Sequence, residues 1–160
     1  MTPFEITGLQ PFLLAVLGLL LLGAAVSDLR ERIIPDRLNI AVASLALGWW
    51  AVNGFGPGTI GLQLIAALLV FGLFAGLFAC RMIGGGDVKL LTALALWLPP
   101  LLLLKTLVLM ALGGGLLSIA MLAWKFARRA EAAGEVPYGV AIAAAALFVV
   151  AHDLLTIPVA

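Results

Sequence analysis

Leu13-Leu14-Ala15-Val16-Leu17-Gly18-Leu19-Leu20-Leu21-Leu22-Gly23-Ala24-Ala25-Val26 runs without a charge into Ser27-Asp28. Taken from about Leu9, this stretch approaches the roughly 20 residues that a helix needs to cross a bilayer. Its far end is a carboxylate, and an ionisable group beside a membrane segment is costly enough to count as a functional candidate. The same pattern recurs once, where Gly84-Gly85-Gly86-Asp87 follows another apolar run.

The rest of the chain repeats the theme. Hydrophobic residues make up 64% of the 160, charged residues 11%, and the mean hydropathy is +1.24. A soluble domain of this size has too little interior for so much Leu, Ala, Val, Ile and Phe, so the composition reads as an integral membrane protein built of helices. Nine basic and eight acidic residues leave a net charge of +1, a balance that points away from nucleic acid and acidic substrates. Cys80 is the single cysteine, which rules out an intrachain disulfide and any Cys-x-x-Cys zinc or redox site. Met1-Thr2-Pro3-Phe4-Glu5 lacks a basic n-region, so the first apolar stretch is expected to be a retained span and not a cleaved signal peptide.

Apolar length and breakers divide residues 1–160, read as a single domain, into six segments. They are expected at Leu9 to Val26, Leu38 to Val52, Ile60 to Cys80, Val88 to Leu98, Leu101 to Trp124 and Tyr138 to Leu155. Asn53-Gly54-Phe55-Gly56-Pro57-Gly58 separates the second from the third, and Pro99-Pro100 stops the fourth, which is short for a span. Arg30, Arg32, Arg37, Arg81, Lys89, Lys125, Arg128 and Arg129 all fall on one side of a six-span arrangement, leaving Lys105 alone on the other. By the positive-inside rule the basic side is cytoplasmic and both termini are outside. Trp49, Trp50 and Trp97 fall near outer helix ends and Trp124 near an inner one, as interfacial belts require. Asp28 and Asp87 then share the cytoplasmic rim.

Two carboxyls that can meet there suggest acid/base chemistry on a bond held at the membrane surface. Asp87 is expected at the start of helix four, where free N–H groups and the helix dipole favour the ionised form. Asp28 is expected at the end of helix one, where the dipole disfavours charge and its proton is held longer. Each has a plainer reading: Asp87 as an N-cap, Asp28 as an interfacial partner of Arg30 or Arg32. Asp36 follows Pro35 at a helix start, where a cap is its expected role and a substitute for Asp28 the alternative. Gly84, Gly85 and Gly86 offer positive φ and close approach, usable as a hinge or platform for an extended peptide; a plain turn is the alternative. Asp36 and Lys89 join these glycines as candidates for substrate binding or loop support. Gly72 and Gly76, and Gly113 to Gly115, read as helix-packing faces. His152 is alone near the outer end of helix six, where interfacial solvation is expected and no metal pattern surrounds it, and Lys105 is expected to snorkel outward.

Ser27-Asp28 to Leu38 and Gly84 to Leu91 together resemble the type IV prepilin peptidases, membrane aspartyl proteases with a Gly-x-Gly-Asp motif. The family pattern has an Asp ending the first helix, a Pro-Asp starting the next and a Gly-x-Gly-Asp opening a later one; Pro137-Tyr138-Gly139 also looks familial. The resemblance covers most of the chain. It implies an all-α polytopic membrane protein with six transmembrane helices in the Gly-x-Gly-Asp aspartyl protease fold. It also implies Asp28 and Asp87 as catalytic residues, no metal or organic cofactor, and an inner-membrane location with the site facing the cytoplasm. The substrate it implies is a pilin-like precursor with a hydrophobic N-terminal helix, whose short cytoplasmic leader is removed. Larger relatives carry paired Cys-x-x-Cys motifs and methylate the new N-terminus. The sequence lacks those motifs, so the compact, peptidase-only form found with Flp or Tad pili is expected.

Two other classes compete with the protease. A transporter would use the aspartates to bind a proton or cation, but both lie at one rim and not near the middle of a span. A non-catalytic assembly factor or scaffold would use them as caps and recruit other membrane proteins through its small-residue faces.

Overall fold

The computed structural model describes residues 8–128 and 138–154 of the chain, and these form helices with no strand among them. The helices are α1 (Gln10–Glu31), α2 (Asp36–Val52), α3 (Pro57–Ala79), α4 (Gly85–Ala95), α5 (Pro100–Arg128) and α6 (Tyr138–Val149), the last continuing into a π-helical turn, Val150–Leu154. Proline stands in the first turn of α1 and of α3, where its missing N–H costs nothing. Arg129, Pro137 and both chain termini lie outside the described residues.

All six expected helices are present, with shifted ends. Helix one runs past Val26 and carries Asp28 in its last turn, and α4 begins three residues before Val88 and ends at Ala95. By length and composition, α1, α3 and the Pro100–Trp124 part of α5 are able to cross a membrane. At eleven residues, α4 extends only about 16 Å, against a hydrocarbon layer of about 30 Å.

That shortness explains where the tryptophans go. Trp49, Trp50 and Trp97 were expected in an outer interfacial belt, but they are 2%, 8% and 0% exposed and occupy the core where α4 has stopped. Trp49 and Trp97 lie 5.6 Å apart. The Trp97 indole N–H donates to the Val42 carbonyl and that of Trp50 to Leu96, each at 2.8 Å. Satisfied indoles are free to serve as large core side chains. Trp124, by contrast, is exposed.

α4 is the hub, packed against α2, α3 and α6, while α1 lies between α2 and α6 and α5 covers α6. Leu17, Leu21, Val42, Leu90, Leu91, Leu94 and Ile142 fill the centre. The outer faces of α3 and α5 remain apolar and exposed, with Leu68, Leu69, Leu73, Leu112 and Leu116 among them, as a lipid-facing surface requires. Gly72 and Gly76 belong to that outer face: a Cβ on either would meet nothing within 4 Å, so the expected packing face makes no intramolecular contact. His152 stacks on Phe148 at 5.6 Å, and the Lys105 ammonium lies 5.9 Å from the same ring.

Candidate active site

Four helix ends meet at one end of the bundle. The last turn of α1 brings Asp28, the end of α3 brings Phe78 and the following Arg81, the start of α4 brings Asp87, and the start of α6 brings Tyr138. They line a cleft of about 770 Å³. Asp28 and Asp87 are 6% and 8% exposed, and no other charged residue whose side chain is described is buried.

Asp87 sits in the first turn of a helix too short to cross, with Gly84 as the N-cap residue. Its carboxyl takes a hydrogen bond from the Gly84 backbone, the reciprocal half of a capping box. The expected preference for the ionised form nevertheless loses to burial. Loss of solvent, and then the negative charge of Asp28, raise its pKa from 3.8 to about 6, against the smaller opposing effect of the Gly84 bond.

Asp28 has a partner that its own helix could not supply. The Val140 N–H, in the first turn of α6, donates to Asp28 Oδ2 at 3.1 Å. The unfavourable end of α1 is thus met by the favourable end of another helix. This contact depends on Gly139, where a Cβ would fall 2.8 Å from Asp28 Cγ and Oδ2. Tyr138 in turn lies over Gly114 of α5, where a Cβ would come 2.6 Å from the ring. Gly114, read from sequence as part of a packing face, is therefore a seat for a side chain that lines the cleft.

The glycine run works by close approach and not by unusual backbone. None of Gly84, Gly85 or Gly86 has positive φ. A Cβ would lie 3.0 Å from the Asp87 carboxylate at Gly84, 3.3 Å from the Phe78 ring at Gly85 and 3.0 Å from Ile34 at Gly86. The left-handed non-glycine residues among those described are instead Arg32 (φ 54) and Arg81 (φ 58), and both line the cleft. Nothing in the sequence signalled them, because αL positions usually announce themselves with Gly or Asn.

Asp36 and Lys89 lie apart from the cleft. They pair at 2.7 Å across α2 and α4, with both side chains more than half exposed, and line a separate groove with Asn39 and Phe71. Asp36 makes no capping hydrogen bond, since Pro35 occupies the N-cap position of α2. The pair ties α2 to α4 outside the cleft and contributes no more than about 1 kcal/mol. Among the described residues no three His, Cys, Asp or Glu side chains gather as a metal site.

The sequence profile of the type IV leader peptidase family matches residues 15–119, a range that includes both aspartates. Over 92% of its length the chain is 30% identical to the prepilin leader peptidase/N-methyltransferase of Xanthomonas campestris pv. campestris, of which it covers 53%. It is also 40% identical over 83 residues to the prepilin peptidase EppA of Methanocaldococcus jannaschii, matching 48% of the chain and 21% of that protein. The chain thus spans about half the length of the first curated relative. No solved structure matches it.

Proposed function

The chain belongs to the type IV leader peptidase family, and from that membership we propose that it is an aspartyl endopeptidase that removes the short cytoplasmic leader of pilin-like precursors. The observation that carries the reading is the pair of buried carboxylates, Asp28 and Asp87, lining one cleft at the end of the bundle. Burying two acids a helix end apart is costly, and acid/base catalysis gives a reason to retain them.

The pair divides the work by environment. Asp28 holds the backbone N–H of Val140 and acts as the base that activates water. Asp87, with its pKa at about 6, keeps a proton for the scissile carbonyl. The charge on Asp28 is one cause of that raised value, consistent with an ionised Asp28 beside a protonated Asp87. This reverses the roles expected from each residue's own helix end. Activity against pH is then bell-shaped, with Asp28 mainly behind the acidic limb and Asp87 mainly behind the alkaline one, though both limbs belong to the pair.

The substrate's apolar helix packs beside the six embedded helices, and its leader enters the cleft from the cytoplasm. Arg30, Arg32, Arg81 and Lys89, near the cleft end, support that orientation in the inner membrane with both termini outside. The activity proposed is proteolysis without N-methylation of the product. Mass spectrometry of the cleaved product should find a free, unmethylated N-terminus.

Asp28→Asn and Asp87→Asn should each lower cleavage of a pilin-like precursor by about 10²-fold or more while the protein still inserts. Asp36→Asn should retain activity within a few-fold. Loss of activity in Asp36→Asn with retention in Asp28→Asn would overturn the assignment, and retention in both cleft variants would favour a scaffold.

A further inference from the structure

We propose that Ile34 is the spacer that sets the separation of the two carboxylates, a positioning residue wedged between the glycine ahead of Asp87 and the glycine beside Asp28. The proposal rests on the reading of Asp28 and Asp87 as the catalytic pair and names what holds them at working distance.

Ile34 belongs to the link between α1 and α2, yet it is 4% exposed while its neighbour Ile33 is 63% exposed. On one side it meets Gly86, where a Cβ would lie 3.0 Å from Ile34 Cβ, 3.2 Å from its carbonyl oxygen and 3.3 Å from its nitrogen. On the other it meets Gly139, where a Cβ would lie 2.8 Å from Ile34 Cδ1. Gly86 precedes Asp87, and Gly139 precedes Val140, whose N–H holds Asp28. One side chain therefore touches the immediate support of both acids.

The link that carries it is tied at both ends. The Arg32 N–H donates to the Asp28 carbonyl at 3.0 Å, and the Ser27 hydroxyl to the Ile33 carbonyl at 2.7 Å. Beyond Ile34, the Leu38 N–H donates to the Pro35 carbonyl at 3.0 Å, and Asn39 Nδ2 donates to the Gly86 carbonyl at 3.3 Å. The frame thus begins at the backbone of Asp28 and closes on the residue before Asp87. A glycine faces Ile34 on each side and offers no side chain to absorb a change, so its size is passed to both carboxylates. An ordinary buried isoleucine would only fill space, and its truncation would lower stability without altering turnover of the folded protein.

The test uses the full chain in lipid nanodiscs with a pilin-like precursor, and compares Ile34→Ala and Ile34→Val with Leu17→Ala, a fully buried α1 control far from the cleft in sequence. Ile34→Ala should lower kcat about 10- to 100-fold, with KM within about threefold, because small misplacements of catalytic groups are expensive. Its alkaline limb should move to higher pH, since loss of the spacer lets Asp28 close on Asp87 and raise it more. The charged and titratable groups lining the cleft around Asp87 are Asp28, Arg32, Arg81 and Tyr138, and none of these is altered. Ile34→Val removes Cδ1 alone and should shift both readouts in the same direction by less. Leu17→Ala should lose stability with kcat and the limb unmoved. If both Ile34 variants behave like Leu17→Ala, the spacer role is wrong; if Ile34→Ala does not fold, unchanged kcat and pH dependence in Ile34→Val overturn it alone. Cleavage surviving in Asp28→Asn and Asp87→Asn would instead remove the catalytic reading, in a separate assay, and this proposal with it.

Discussion

Asp87 is held by opposing effects, a helix start that favours its charge and a buried site that disfavours it, and burial dominates. The consequence for stability has a definite sign. The folded pKa of about 6 lies above the ordinary 3.8, so between those values the folded protein retains a proton that the unfolded chain has released. The cost is absent below the lower value, grows with rising pH and is complete above the upper one, where it reaches roughly 3 kcal/mol at about 1.36 kcal/mol per unit. Asp87→Asn should therefore melt higher than the parent in detergent at about pH 8, and the gain should vanish by about pH 4. A difference independent of pH would show that the burial cost is misassigned. Both aspartates were legible in the sequence because charges are conspicuous in an apolar chain. Ile34, Gly139 and Val140 were not, because their roles come from contacts between residues far apart in the chain, Ile34 with Gly86 nearest among them. Their roles as supports became visible only when the helix ends met.

Helix existence was legible and helix behaviour less so. Apolar runs and breakers located all six elements, but run length alone did not show that α4 stops early and that Trp49 and Trp97 complete the core beyond it. Glycine spacing was the weaker guide. Gly72 and Gly76 have the familiar four-residue spacing and meet nothing, whereas Gly139, with no such spacing, allows α6 to approach Asp28. Gly139→Ala should therefore lower cleavage by about 10²-fold, since its methyl group and the Asp28 carboxylate claim the same space. Gly72→Ala should leave cleavage intact and stabilise α3 by up to about 1 kcal/mol. Precursor cleavage and thermal melting of both variants check the contrast, and equal activities would count against a close α6–Asp28 contact.

At the scale of the whole molecule, the alternation of helix directions gathers the ends of α1 and α3 with the starts of α4 and α6. In the proposed orientation that end faces the cytoplasm. With Cys80 replaced by Ser, a cysteine introduced beside Arg32 should react only with a membrane-permeant reagent, and one at Gly56 should react from the periplasmic side. Labelling of the Arg32 position from outside would invert the arrangement and put the cleft out of reach of a cytoplasmic leader.

Cys80 itself is exposed and stands between Ala79 and Arg81, which both line the cleft. As the single thiol in the sequence, it gives this chain one chemical address, beside the mouth through which a substrate would pass. A small fluorophore attached there reports occupancy without any engineered substitution, and a bulky one serves as a removable plug.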